Sequence, residues 1–178
     1  MGVGAAENDP VEDPTGYREL VLSYLGEDDP AGVQAATPEA LQTLVRAAGD
    51  RLTRRPEPGE WSVLEVISHI IHAEIVSSFR YRAILSEDGP RIAPYDQDPW
   101  VDALPIPESD VDTELRMFAA LRAANLAMWA RSTPEERARI GNHEERGPES
   151  YDLSFRLISG HDRLHVEQAR STLERLDG

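Results

Sequence analysis

The chain has no cysteine, so disulfides, thiolate-ligated zinc and a cysteine nucleophile are all excluded. Any metal site must be built from histidine and carboxylate. Lysine is absent too: all 18 basic residues are arginine, scattered among 33 acids, and they form no basic patch. No apolar run approaches the length of a membrane span. Met1 to Asp13 is small and acidic, without the basic and apolar regions of a signal peptide. Ala6 stands where the myristoylation pattern after Gly2 wants Ser or Thr. A cytoplasmic location is the default expectation. The formal charge of −15 argues against nucleic acid and anionic membrane as partners, since both reward clustered cations. What remains is ordinary for a soluble globular protein, 40% apolar and 29% charged over 178 residues. That length suits one domain burying about 70% of its extended-chain surface.

The pattern is one of helices separated by proline-rich connections, with no convincing strand. Residues 1–16 read as a loose lead-in, and 17–178 as a single domain. Tyr17 to Leu25 makes a short helix stopped by Gly26 and the Asp-Asp-Pro turn at 28–30. Thr37-Pro38 reads as a helix start, a capping hydroxyl followed by proline. Leu41, Leu44, Val45 and Leu52 then give one face. Ser62-Val-Leu-Glu65 is a capping box opening a helix to about Ser86. Residues 87–108 hold five prolines and form a long connection, a feature often functional in compact domains. A third long helix begins at Ser109 or Asp110. A second capping box, Thr133-Pro-Glu-Glu136, starts a short helix ending at Gly141, and a last helix runs from about Ser150 to Leu176. The expected fold is an all-α antiparallel four-helix bundle with a long crossover loop and short accessory helices.

His161 and His165 lie four residues apart, on one helical face with Leu153, Leu157 and Leu164. Two inward imidazoles need a shared reason, and a metal is the simplest. His69, within an apolar helix, is the strongest third ligand. His72 could share the site or sit at its edge, and His143 in a turn reads as a mouth residue. Taken singly, His72 and His143 are more often core histidines with a satisfied hydrogen bond. Three imidazoles suit zinc, nickel, copper or ferrous iron, rather than magnesium or calcium. With no obvious fourth ligand, an open and therefore catalytic metal is expected.

Several short pieces recur in one family: Arg55-Pro-Glu-Pro-Gly-Glu-Trp-Ser62, Glu65-Val-Ile-Ser-His69 with Glu74, Arg80-Tyr-Arg-Ala-Ile-Leu85, Tyr95-Asp-Gln-Asp-Pro-Trp100, Gly141-Asn-His143, and Gly160-His-Asp-Arg-Leu-His165 with Gln168. In that order and spacing the chain resembles the DinB-like (DinB/YfiT-like) superfamily of metal-binding four-helix bundles, from about Tyr17 to Leu176. The resemblance implies a divalent metal on His69, His161 and His165, with zinc or nickel first and iron or manganese next, and often a homodimer. His72 falls where many relatives carry aspartate. It also implies a small-molecule substrate, with thiol-dependent transferases and hydrolases among the relatives.

Two chemistries fit an open three-histidine site. One lowers the pKa of a bound water toward about 7. The other stabilises the thiolate of a low-molecular-weight thiol, which a cysteine-free chain would take from a cosubstrate. On resemblance, thiol transfer is preferred over hydrolysis. Glu74, Asp162, Gln168 and His72 are candidates for orienting the imidazoles or moving protons. Their bland readings are a surface or capping charge for Glu74, a solvent-facing Asp162 and an intra-bundle hydrogen bond for Gln168. Asp96, Trp100 and Arg80 are weaker substrate candidates, set against loop packing for Trp100 with Tyr95 and ordinary ion pairs for Arg80 and Arg82. The competing classes are a non-catalytic module whose metal stabilises the bundle, and an interaction scaffold whose histidines are only polar core.

Overall fold

The structure, a computed structural model, describes residues 13–177. Helix α1 (Pro14–Leu25) begins three residues before the expected Tyr17, because Asp13 accepts a hydrogen bond from Gly16 N and Pro14 takes the first turn. Residues 1–12 of the expected lead-in lie outside the described residues.

Helix α2 (Pro30–Ala48) corrects the reading of Thr37-Pro38 as a start. The Asp-Asp-Pro turn expected to stop one helix in fact begins the next, with Asp29 accepting from Ala31 N and Gly32 N. Pro38 sits inside the helix. Proline has no N–H, so the carbonyl of Gln34 loses its helical donor. Arg122 supplies the replacement, donating from Nη1 to Gln34 O at 3.0 Å. A tertiary contact thus tolerates a proline that local rules assign to an end.

Helix α3 (Val63–Ser86) has the expected Ser62–Glu65 capping box. The long connection is not structureless. It contains a two-residue strand β1 (Arg91–Ile92) and helix α4 (Gln97–Ala103), capped by Asp96. Helix α5 (Val111–Arg131) follows a 3-10 turn at Glu108–Asp110. Helix α6 is only Pro134–Arg137, because the chain then enters strand β2 (Ile140–His143), which pairs antiparallel with β3 (Gly147–Ser150) and parallel with β1. These strands escaped the sequence pattern because two to four residues rich in Gly, Asn and Pro carry no readable alternation. The last helix, α7, is Tyr151–Asp177.

Helices α2, α3, α5 and α7 form the bundle, with α7 and α5 each packed against both α2 and α3. Helix α1 lies along α7. It crosses at Gly160, where an added Cβ would stand 2.0 Å from the carbonyl oxygen of Val21, so a side chain there would push α1 away. No helix among the described residues is long and apolar enough to cross a membrane.

The core has two apolar halves. One gathers Leu41, Ile67, Ile70, Phe118 and Val166; the other gathers Tyr81, Trp129, Tyr151 and Phe155, with Trp129 and Phe155 stacked at 4.0 Å. On each bundle helix buried polar residues lie between these halves: Gln34 and Thr37 on α2, His69, His72, Glu74, Ser77 and Ser78 on α3, Arg122 and Asn125 on α5, and Ser159, His161, Asp162 and His165 on α7. The bundle therefore encloses a polar layer at mid-length. Burial without partners would cost each of these groups, so the layer must be internally paired or serve a ligand.

Candidate metal centre

Helix α3 brings His69 into the polar layer, and α7 brings His161 and His165 from successive turns. His69 Nε2 lies 2.8 Å from His161 Nε2 and 3.2 Å from His165 Nε2. The three residues are 2%, 8% and 1% exposed, and their ligand atoms all fall within 4.8 Å of one another. Hydrogen bonding alone cannot satisfy this convergence. Gln168 Oε1 sits 2.7 Å from His165 Nδ1, so Nδ1 carries the proton and Nε2 of the neutral ring is a bare lone pair. His69 Nε2 carries either one hydrogen or one lone pair, so it cannot hydrogen-bond to both His165 Nε2 and His161 Nε2. A lone-pair acceptor such as a metal cation satisfies all three at once.

The protonation states agree. Burial pushes the His165 imidazole down to about 4, although Gln168 and Asp162 pull the other way. Burial and the neighbouring imidazoles hold His69 well below its ordinary value, and burial, His165 and Arg122 do the same to His161. All three rings are neutral at pH 7, the form that binds metal. A depressed folded-state pKa means that the unfolded chain takes up protons first as pH falls. For chelator-treated protein, the His165 contribution should be complete above about 6.5 and lost progressively down to about 4, on the order of 3 kcal/mol. Urea unfolding between pH 7.5 and 4 should show this as a slope that His165→Gln flattens. An unchanged slope in the variant would contradict it.

The other expected residues divide sharply. His72 is buried but apart from the trio, edge-on to Trp100 at 5.4 Å between ring centroids. His143 is held in β2, where its Nδ1 accepts from Glu145 N and Arg146 N. Glu74 is no surface charge: its carboxylate is fully buried and accepts from Arg122 Nη2 (2.9 Å) and Asn125 Nδ2 (2.7 Å). Asp162 does not face solvent either, and accepts from Arg122 Nη1 (2.5 Å) and Thr37 Oγ1 (2.8 Å). Both acids hold Arg122 rather than an imidazole. Gln168 alone of the proposed orienting groups touches a histidine of the trio.

Arg122 and Asn125 were missed. Buried positions on α5 run 111, 115, 118, 122, 125 and 129, a clean heptad stripe, and two polar residues on that stripe were the available signal. The apolar residues of this helix do not mark the stripe by themselves, because Leu115, Phe118 and Trp129 lie on the buried line while Leu121, Leu126 and Met128 fall one position off it. Burial pulls the Arg122 guanidinium down, but Asp162 and Glu74 outweigh it, so it stays charged.

A cavity of about 150 Å³ adjoins the trio and is lined by His69 and His161 themselves. Arg80, Tyr95, Asp96 and His143 also line it, whereas Trp100 covers His72 and stays outside. Arg80 donates to Ala93 O, and Arg82 to Ser78 O and Asn125 Oδ1, in place of the expected ion pairs.

Residues 33–169, a span containing all three histidines, match the model of the DinB superfamily. The chain belongs to the DinB superfamily. Proteins of Bacillus mycoides and Bacillus cereus, named as inferred metal-dependent hydrolases, are each 28% identical over 119 residues, covering 67% of this chain and 68% of theirs. A Bacillus thuringiensis protein of the same description matches equally. Among solved structures, YfiT from Bacillus subtilis, described as a probable metal-dependent hydrolase with an unusual four-helix bundle topology, superimposes with a TM-score of 0.75. That match covers 99% of this chain and 94% of YfiT at 19% identity, which speaks to the fold. The bundle expected from sequence is therefore the observed DinB-type bundle.

Proposed function

We propose that this chain is a metal-dependent hydrolase in which His69, His161 and His165 hold one divalent ion facing the adjacent cavity. The observation that carries the reading is the convergence of three buried, neutral Nε2 atoms with no fourth ligand in the cluster among the described residues: His72 and His143 fall outside it, and Glu74 is held by Arg122 and Asn125. Three nitrogen ligands and an open side are the pattern of catalytic rather than structural zinc. Bound there, the metal supplies Lewis acidity that brings a water's pKa toward about 7. The chain's own residues do the rest. Gln168 fixes the His165 tautomer, the Arg122 network locks the helices that carry the imidazoles, and the apolar halves of the core keep bulk water out.

Hydrolysis takes precedence over thiol transfer because the curated relatives carry hydrolase names, while the same open side would also accept a thiolate. The test is turnover of an ester and amide panel by zinc-, nickel- and manganese-loaded protein in thiol-free buffer. Metal-dependent hydrolysis that His161→Ala abolishes is the expected result. Turnover that requires an added thiol would replace hydrolysis with transfer. Failure of every loaded form, with and without thiol, would favour the stabilising-metal reading.

A further inference from the structure

The cavity beside the histidines follows one face of α3 from His69 through Ala73 and Ser77 to Arg80, a rise of roughly 16 Å. Arg80 ends that face, about three turns beyond His69. Its Nη2 is taken by Ala93 O, but its Nε is buried with no hydrogen-bond partner among the described residues. His143, 3% exposed, reaches the same cavity from β2. Its Nδ1 accepts two backbone N–H groups, so the proton of the neutral ring sits on Nε2, which is also buried and without a partner. Burial, with the Arg146 and Arg80 charges, pushes this imidazole down to about 4 and keeps it neutral.

Two donors lining one cavity cannot satisfy each other. Of the acids lining the cavity, Asp96 caps α4, and neither Asp98, whose Oδ1 is itself buried without a hydrogen-bond partner among the described residues, nor Glu145 bonds either donor. No acceptor among the described residues bonds either donor, and the Nε–H of a guanidinium with a second N–H in the same cavity suits the two oxygens of a carboxylate brought by a ligand.

We propose that Arg80 and His143 bind a carboxylate of the substrate, making it a small carboxylic-acid derivative whose reacting end lies toward His69 and His161. This rests on the reading of the trio as the reaction centre, but its test does not.

The test is calorimetric binding of adipic acid monoamide, adipic diamide and inorganic phosphate to the full chain, both zinc-loaded and chelator-treated. The monoamide is expected to bind at least tenfold tighter than the diamide in both forms. Persistence without zinc separates a carboxylate on Arg80 from one on the metal. Arg80→Gln and His143→Phe should each erase that preference while keeping the wild-type zinc complement, so loss of zinc binding by the wild type would sink the metal reading alone. Equal affinity for monoamide and diamide in the wild type overturns the proposal without recourse to any variant. So does a preference that survives both substitutions, or tighter binding of phosphate than of the monoamide.

Discussion

Replacing Arg122 with methionine should destabilise the protein by about 3–5 kcal/mol, the range for breaking a buried ion pair from one side. The guanidinium is 1% exposed and bridges Glu74 on α3 to Asp162 on α7, while also serving the Gln34 carbonyl orphaned by Pro38 on α2. Removing it leaves two carboxylates facing one another in a dry layer and a carbonyl without a donor. Against a typical total of about 5–15 kcal/mol, that loss is large. Urea denaturation should show a lower midpoint at unchanged slope. Adding Glu74→Gln and Asp162→Asn to the variant removes the stranded charges and should recover most of the loss. A single variant as stable as the wild type would mean that the network contributes little.

The second large effect concerns the trio. His161→Ala should lower metal affinity by more than the ~10–100-fold typical of losing a group that merely orients a ligand, with helical content intact. The fold should survive because His161 packs between two apolar halves of the core that hold without it. Dialysis against zinc followed by elemental analysis reads the affinity, and circular dichroism reads the fold. Wild-type affinity in the variant would remove His161 from the ligand set.

Much of this was legible in the residues. His161 and His165 stand out because an i, i+4 imidazole pair on an apolar stripe is hard to bury without purpose. Ser62–Glu65 and Thr133–Glu136 announce helix starts through reciprocal hydrogen bonds that are wholly local. What stayed hidden depends on partners distant in sequence. The start of α2 was misplaced because Pro38 is tolerated mid-helix only through Arg122, 84 positions away in the chain numbering. Strand β1 exists by pairing with β2 across about 50 residues, and no periodicity within two residues encodes that. Glu74 and Asp162 were suspected of serving the histidines. Their true partner was unrecognised because an arginine on a buried stripe contradicts the usual expectation for its type.

The most direct test of the central claim is metal-edge anomalous diffraction from protein purified without an affinity tag. The account predicts one ion per chain, coordinated by His69, His161 and His165, with its remaining position open to the cavity lined by Arg80 and His143. An ion bound elsewhere, or a shell closed by a fourth side chain, would contradict it.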